Sequence, residues 1–421
     1  MTGSPDVLVA GGGPAGVAAA LTLASRGADV VLVHPAPDAG RRVLESLSPL
    51  ARPLLRGLGV LDRLPPECLA PCHGNRSSWG GPALTAADFL QEPHGAGWHV
   101  DRGPFDAALR RAARAAGVRL YTGSVRSVAR QGGRWRATVS GTVTTAPYLV
   151  DATGARARLA RRLGARVVHT DHLVAVAAEA PGPGPGPDLD LDPDLGPVPF
   201  PEPFPVPGHD GPYGAEDPTA RTSLVESTPY GWWYTASLPR GRHVVMAVTD
   251  ADLVAGAGLR TPDGWWTALA GTRHVRVRAA AHLATAPHRL RVLPAGTSRT
   301  LPPAGPGWVA AGDAAAVTDP LAARGVTHAL ATGIAAGTAL TEQADGDPGA
   351  PSRYAALVAA VHDEFLRARA VRYRAEERWD TPFWTRRRTP ADVTRPVPDA
   401  TPGSSRRDTA TAPGTRRERA R

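Results

Sequence analysis

The chain has 421 residues, 42% of them hydrophobic and 21% charged, with a formal net charge of +9. That length allows one large domain or two intertwined ones, and the composition is that of a globular protein. Lysine is absent, so all 48 basic residues are arginine, and with 46 Gly and 43 Pro this reads as a coding bias. The positive excess gathers late, in RRR at 386–388, RR at 406–407 and RRER at 416–419. Only Phe383 and Trp384 accompany these arginines, which argues against a nucleic-acid site. A disordered basic tail over 386–421, able to touch an acidic partner, is expected instead. Cys68 and Cys72 cannot build a four-ligand zinc site and read as free thiols of a reducing cytosol. No apolar run is long enough for a membrane span, and the N-terminus lacks the basic region of a signal peptide. The expectation is therefore a cytoplasmic protein with neither membrane nor nucleic acid as partner.

The opening stretch DVLVAGGGPAGVAAALTLASRGADVVLVH divides into an apolar strand at 6–10, an Ala- and Leu-rich helix over 14–25 closed by Gly27, and a second apolar strand at 30–33. This is a βαβ unit of a parallel sheet covered on both faces. A helix is predicted over 105–116, ended by Gly117, and VRLYTG is the next strand. Segments 124–130 and 134–140 read as an antiparallel pair turned by Gln131-Gly132-Gly133, and 148–150 leads into DATG. From 181 to 219 Pro, Gly and Asp dominate, and the segment cannot bury enough apolar area to offset its ordering entropy; it reads as a flexible insertion. Strand signals return at TSLVES, GWWYTASL and HVVMAVTD, the last two joined by a Pro-Arg-Gly turn near Pro239. WVAAG is a further strand before Gly312-Asp313, and helices are predicted from about 326 to 342 and 354 to 374.

This order predicts an α/β protein with a Rossmann-type dinucleotide domain (1–65, 100–165 and 285–345) and an inserted mixed β-sheet substrate domain (66–99 and 166–284). A C-terminal helical region over 346–385 follows.

Gly11, Gly13 and Gly16 form GxGxxG between strand and helix. Gly11 permits the tight turn, Gly13 the approach of a pyrophosphate and Gly16 the packing of helix on strand. The helix opening at Pro14 and Ala15 offers its unpaired N–H groups to the phosphates. An acidic residue belongs at the end of the second strand, to bind ribose hydroxyls. His34 stands there, with Asp38 four residues on, and either can take that hydrogen bond.

With DATG at Asp151–Gly154 and Gly312-Asp313 followed by Pro320, Gly325 and a helix, the chain resembles the flavoprotein aromatic hydroxylases (group A monooxygenases) and their flavin-dependent halogenase relatives. The resemblance covers about residues 5–345 and implies a p-hydroxybenzoate hydroxylase-like fold holding FAD. It implies that Asp313 holds the ribityl chain and that the loop from Pro320 to Gly325 and Val326 faces the pyrimidine edge of the ring, with a helix dipole to stabilise reduced flavin. Ala323 stands in that loop where the family often has glycine. It also implies flavin contact for Arg102 in GWHVDRGPFD and for Arg42, which with Glu45 and Ser46 runs beside the ring, and places Val125, Asp151 and Gly154 in the cofactor-binding set. From the residues alone Arg102 can instead be a surface arginine paired with Asp106. With one fingerprint only, electrons come from NAD(P)H bound transiently on the same domain or from a separate flavin reductase.

In STPYGWWYTASLP, strand alternation puts Tyr230, Trp232 and Tyr234 on one face and Trp233 on the other. Two readings fit: a wall over an aromatic substrate stacked near the flavin, or plain sheet core. By the resemblance, reduced FAD captures dioxygen and the resulting hydroperoxide hydroxylates an aromatic, indole-like substrate. The halogenases use a lysine and a Trp-x-Trp-x-Ile-Pro element. This chain has no lysine, and Leu238-Pro239 comes two residues too late for the element. ESLSPLARPLL, GWHVDRGPFD and GWWYTASLP resemble a branch that oxidises side chains, notably tryptophan, in partner proteins that build quinone cofactors. The substrate is then a small aromatic molecule or a partner-protein side chain. A dehydrogenase or reductase without oxygen insertion, and a non-catalytic FAD-binding assembly protein, are the other classes.

Overall fold

Val7–Ala10, the apolar strand ahead of the glycine turn, lies inside a six-stranded sheet. The sheet order is Ala304–Gly305, Trp308–Ala310, Tyr148–Asp151, Val7–Ala10, Val30–His34 and Arg119–Thr122, parallel except at the first pair. The computed structural model describes residues 4–36, 45–89, 92–180, 221–283 and 289–388. The insertion expected over 181–219, Arg42, Asp38 and residues 389–421 lie outside them. The helices among the described residues are α1 (Pro14–Ala24), α2 (Ala51–Gly57), α3 (Arg102–Ala115), α4 (Arg158–Arg162), α5 (Pro262–Ala270), α6 (Val275–Leu283), α7 (Gly325–Ala344), α8 (Ala350–Arg374) and α9 (Pro382–Arg388).

α1 is buried at every residue from Pro14 to Leu21. A helix apolar on all sides is stable only when covered on all sides, here by the sheet and by α7. Gly27 and Gly117 sit at positive φ (84° and 89°) just past α1 and α3, as the stop signals predicted. The strand pair Val125–Gln131 and Arg134–Val139 turns at Gly132 and Gly133, both at positive φ.

The second large sheet has seven strands, in the order Arg291–Pro294, Leu173–Ala180, His243–Asp250, Gly231–Ser237, Thr222–Thr228, Gly74–Ser78 and Thr85–Asp88. It is mixed, because Thr222–Thr228 runs parallel to Gly74–Ser78 and the other pairs are antiparallel. Arg291–Pro294, expected in the dinucleotide part, pairs here with Leu173–Ala180.

Both faces of this sheet are covered. On one, Trp233 packs edge-on against Trp265 of α5, their centroids 5.0 Å apart, and the Trp265 indole donates to the Val176 carbonyl. On the other, Trp232 joins Tyr373 of α8 and Phe383 and Trp384 of α9. Tyr230 departs from the expected alternation. Pro229 and Tyr230 form a two-residue turn between paired Thr228 and Gly231, which ends the period-two pattern. The Tyr230 ring therefore lies on the Trp233 side, where its oxygen accepts from the Trp233 indole at 2.9 Å.

Arg386–Arg388, expected in a disordered tail, are helical. They end α9, and Arg387 is buried against Asp250 with its guanidinium 3.9 Å from the Phe383 ring. Arg386 pairs with Asp252 at 2.8 Å. Phe383 and Trp384 bring the segment into the core, and Asp250 compensates the charge taken with it.

Glu376 ties this C-terminal segment to the sheet. Its carboxylate accepts from the Ser227 hydroxyl at 2.6 Å and the Gly80 amide at 2.8 Å, and pairs with Arg378 at 2.7 Å. Burial opposes its ionisation, but the bonds from Arg378, Ser227 and Gly80 outweigh it and hold the carboxyl down to about 2. A depressed carboxyl stabilises the fold above its unfolded value and loses that contribution as pH falls. Glu376→Gln is expected to lower stability at neutral pH by on the order of 2–3 kcal/mol. The gap from wild type should close between about pH 4.5 and about pH 2, as read from urea midpoints across pH.

Candidate active site

The cradle begins with close backbone approach. Gly11 has φ 121°, and a Cβ there would stand 2.0 Å from the Ala152 carbonyl oxygen; one at Gly16 would stand 1.8 Å from the Gly11 oxygen. Only glycine folds this turn. Gly13 caps α1 with no side-chain hydrogen bond, so the first N–H groups of α1 stay available to an anion.

The late motif is carried to the same place by helix packing. A Cβ on Gly333 of α7 would stand 2.3 Å from the Ala15 oxygen, and one on Gly337 would stand 3.0 Å from the Ala19 oxygen. The two helix backbones are therefore in contact. Gly312 (φ 62°) has room for a Cβ only 2.7 Å from that of Ala15, and its amide donates to Thr332 of α7 at 2.9 Å. Exposed Asp313 thus sits beside the glycine turn, and the α7 N-terminus, with Gly325 exposed and no side-chain cap, lies beyond it. Two helix N-termini without side-chain caps, a glycine turn and an exposed carboxylate are a donor and acceptor set that would suit FAD, with the diphosphate expected at α1, the ribityl hydroxyls at Asp313 and the pyrimidine carbonyls at α7.

At the far end of the cradle stands His34, whose Nδ1 is 2.8 Å from the Pro35 carbonyl. A carbonyl only accepts, so Nδ1 carries the proton and Nε2 keeps a lone pair. Burial, with Arg110 and Arg114 nearby, lowers its pKa against a weaker opposing pull from Pro35. A neutral ring that accepts at Nε2 can receive a ribose hydroxyl, as a carboxylate would. Arg102 is paired with Asp106 as the alternative reading had it, at 3.1 Å, but the pair is buried rather than at the surface. Val125 opens its strand half-buried. Asp151 is fully buried, and its carboxylate accepts from Thr153 N and Oγ1, Leu159 N and Ala160 N. It is spent on capping α4 and shaping the loop at Ala152 and Gly154 (φ 80°), so it supports the glycine turn without facing it.

The loop 319–325 runs from the short strand Ala316–Val317 to α7. Asp319 caps the Pro320–Ala322 turn, Ala323 takes φ 49°, and Pro320, Arg324 and Gly325 are exposed. The left-handed conformation at Ala323 is one that a glycine adopts without strain. Leu321 packs with Trp232 and Tyr234, while Ser48 meets Thr327 in the first turn of α7 at 3.3 Å. Strand Glu45–Leu47 therefore runs along the α7 N-terminus.

Between loop and sheet lies a chain of neutral polar groups. The Tyr234 hydroxyl is 2.8 Å from Ser46 Oγ, which is 3.0 Å from His99 Nδ1. His99 is 1% exposed, and its Nε2 has no partner among the described residues. Burial, then Arg278, lowers the imidazole to about 4, and burial raises the Tyr234 phenol, so both are uncharged at neutral pH. Of the two readings of the aromatic stretch, sheet core describes Trp232 and Trp233. They are closed off by α8–α9 and α5, and Tyr234 alone of the three brings a polar atom to this region. Cys68 and Cys72 are buried free thiols; burial, with Glu67 and Asp101, pushes Cys68 up to about 11, which makes it a poor nucleophile.

Residues 6–181 match the FAD dependent oxidoreductase family. The chain is an FAD-dependent oxidoreductase. It is 26% identical over 393 residues to LodB of Marinomonas mediterranea, described as an FAD-dependent oxidoreductase, covering 91% of this chain and 97% of LodB. Among solved structures, the flavin-dependent halogenase CmlS superposes with TM-score 0.73 at 22% identity, over 92% of this chain and 68% of CmlS. The peptidyl tryptophan dihydroxylase QhpG superposes with TM-score 0.66 at 24% identity, over 93% and 80%. The fold of this oxidoreductase is thus that of FAD-dependent halogenases and hydroxylases, with a Rossmann FAD-binding domain.

The Gly333 contact gives a test of the cradle remote from its fingerprint. Gly333→Ala is expected to part α7 from α1 and weaken FAD binding by roughly tenfold or more, about 1.4 kcal/mol. Flavin-fluorescence titration, with circular dichroism to confirm the fold, reads it.

Proposed function

We propose that this oxidoreductase is a monooxygenase that hydroxylates an aromatic, indole-like group, the tryptophan side chain of a partner protein. The observation that carries this reading is the Tyr234–Ser46–His99 chain, set at the edge of an otherwise apolar sheet face beside the loop that borders the flavin groove. Bound FAD supplies the two-electron reduction and the activation of dioxygen. The residues supply the rest. Leu321, Met246 and Val225 belong to the same apolar cluster as Tyr234 and give the region around it an apolar lining. The Tyr234 oxygen can accept a hydrogen bond from an indole N–H, or its hydroxyl can pair with an introduced hydroxyl, and Ser46 and neutral His99 fix its orientation. An uncharged ring with one polar edge is the substrate class that such a surface recognises.

The near full-length similarity to LodB and the shared fold with QhpG, a peptidyl tryptophan dihydroxylase, support a protein-borne substrate. The absence of lysine speaks against the halogenation that CmlS performs. NAD(P)H or a flavin reductase would deliver the electrons.

The test combines FAD-loaded protein, NADPH with a flavin reductase, dioxygen and tryptophan-bearing polypeptides co-expressed with it. A mass gain of one oxygen atom at tryptophan supports the reading. Substrate oxidation without that gain identifies a dehydrogenase, and halide incorporation a halogenase. Tyr234→Phe is expected to reduce hydroxylation by about ten- to a hundredfold, within the range for a lost acid–base or orienting group, while FAD titrates as in wild type.

A further inference from the structure

α8 lies beyond the fingerprint, the DATG loop and the Gly312-Asp313 motif, yet it grips the flavin loop. Asp319 is 1% exposed. One of its carboxylate oxygens accepts from the Leu321 amide at 3.0 Å and so caps the loop's turn. The other accepts from Arg369 Nε at 2.9 Å and from the Tyr373 hydroxyl at 2.8 Å, both on α8. The Tyr373 oxygen in turn accepts from the Trp232 indole at 3.1 Å. A single buried carboxylate therefore joins the loop, the C-terminal helix and the middle strand of the second sheet.

The charges decide what this junction does. Arg369 also pairs with buried Asp171, so one guanidinium serves two carboxylates. The next cation, Arg387, is committed to Asp250. Without Arg369, Asp319 and Asp171 would have no guanidinium between them, and one more uncompensated negative charge would stand directly behind Pro320–Gly325, whose own exposed cation is Arg324. Reduction of FAD places negative charge on the pyrimidine side of the ring. An anion behind that loop opposes electron uptake; a balanced one does not. Geometry points the same way, because Ala323 at φ 49° needs its surroundings to hold it.

We propose that Arg369 and Tyr373 are positioning residues for the flavin loop: they neutralise and orient Asp319, so that the C-terminal helix sets how readily bound FAD accepts electrons. The proposal rests on the reading of loop 319–325 as the pyrimidine-side contact of FAD.

The experiment is the midpoint potential of FAD bound to the full chain, with thermal melts alongside, for wild type, Arg369→Gln, Asp319→Asn, the double variant and Tyr373→Phe. Arg369→Gln is expected to lower the preference for reduced over oxidised FAD by roughly tenfold, a shift of about 30 mV for a two-electron couple. Asp319→Asn shifts it the other way, and the double variant returns towards wild type. Tyr373→Phe leaves the charges in place, so it keeps the potential while altering the shape of the flavin absorption bands. A yellow Arg369→Gln protein with the wild-type potential, or a double variant as displaced as the single, overturns the proposal. Should Arg369→Gln fail to fold, an unchanged potential in Asp319→Asn overturns it equally. A wild-type chain that stays colourless in excess FAD would overturn the underlying loop assignment itself, which sets that failure apart.

Discussion

The backbones of α1 and α7 touch, and glycine is what lets them. At Gly333 and Gly337 a single methyl would meet the main chain of α1 at Ala15 and Ala19. Because Ala15 is also the neighbour of Gly312, this one contact fixes the distance between the glycine turn near the start of the chain and the Gly312-Asp313 motif some three hundred positions later. It also makes α1 and α7 run the same way, so that their N-termini, without side-chain caps, point to one side. Two partial positive charges at that spacing suit a ligand that is anionic at its diphosphate and becomes anionic again at its ring on reduction. The cradle depends on this approach more than on any side chain lining it, since Asp151 only braces the loop and His34 offers a neutral lone pair.

The second sheet solves a different problem. Its middle strand carries adjacent tryptophans, and adjacent strand residues point to opposite faces. Each face therefore needs its own apolar cover, which α5 with Trp265 gives to Trp233, and α8 with α9 gives to Trp232. The cover over Trp232 is drawn from the C-terminal segment, which is why Arg386–Arg388 end a packed helix in spite of their charge. It also explains why the segment reaches the flavin loop at all: the helix that buries Trp232 carries Tyr373 and Arg369 to Asp319.

What could be read from the residues was what is local. The βαβ unit, the glycine turn and the helices after Asp313 and around Tyr354 each declare themselves within a window of about one element. Tyr230 was misplaced because alternation was carried through a two-residue turn. Arg386–Arg388 were misplaced because composition weighs charge and does not see Asp250 and Asp252, far away in sequence. The α5 and α6 helices were missed, their tryptophan, arginine and alanine mix giving a weak apolar stripe. The link from Tyr234 through Ser46 to His99 spans three strands of two sheets. His99 and Ser46 stood in segments already marked by resemblance, but no spacing within either segment announces that they face each other.

Taken together, the charges around this site are arranged with a consistent logic. Several buried acids are held by a guanidinium: Asp319 and Asp171 share Arg369, Asp250 has Arg387 and Glu376 has Arg378, whereas Asp151 is held by N–H and O–H donors alone. Groups that could ionise but have no such partner are kept neutral by burial, as His99 and Tyr234 are. In a region of low dielectric an unbalanced charge would dominate every other interaction, including the one between protein and reduced flavin. The α7 N-terminus at Gly325 and the exposed guanidinium of Arg324 are the positive influences within the loop, and the hydroxyls of Tyr234 and Ser46 add direction. Under the proposed function, such a surface would select its ligand by shape and by a single hydrogen bond, which suits an uncharged aromatic ring.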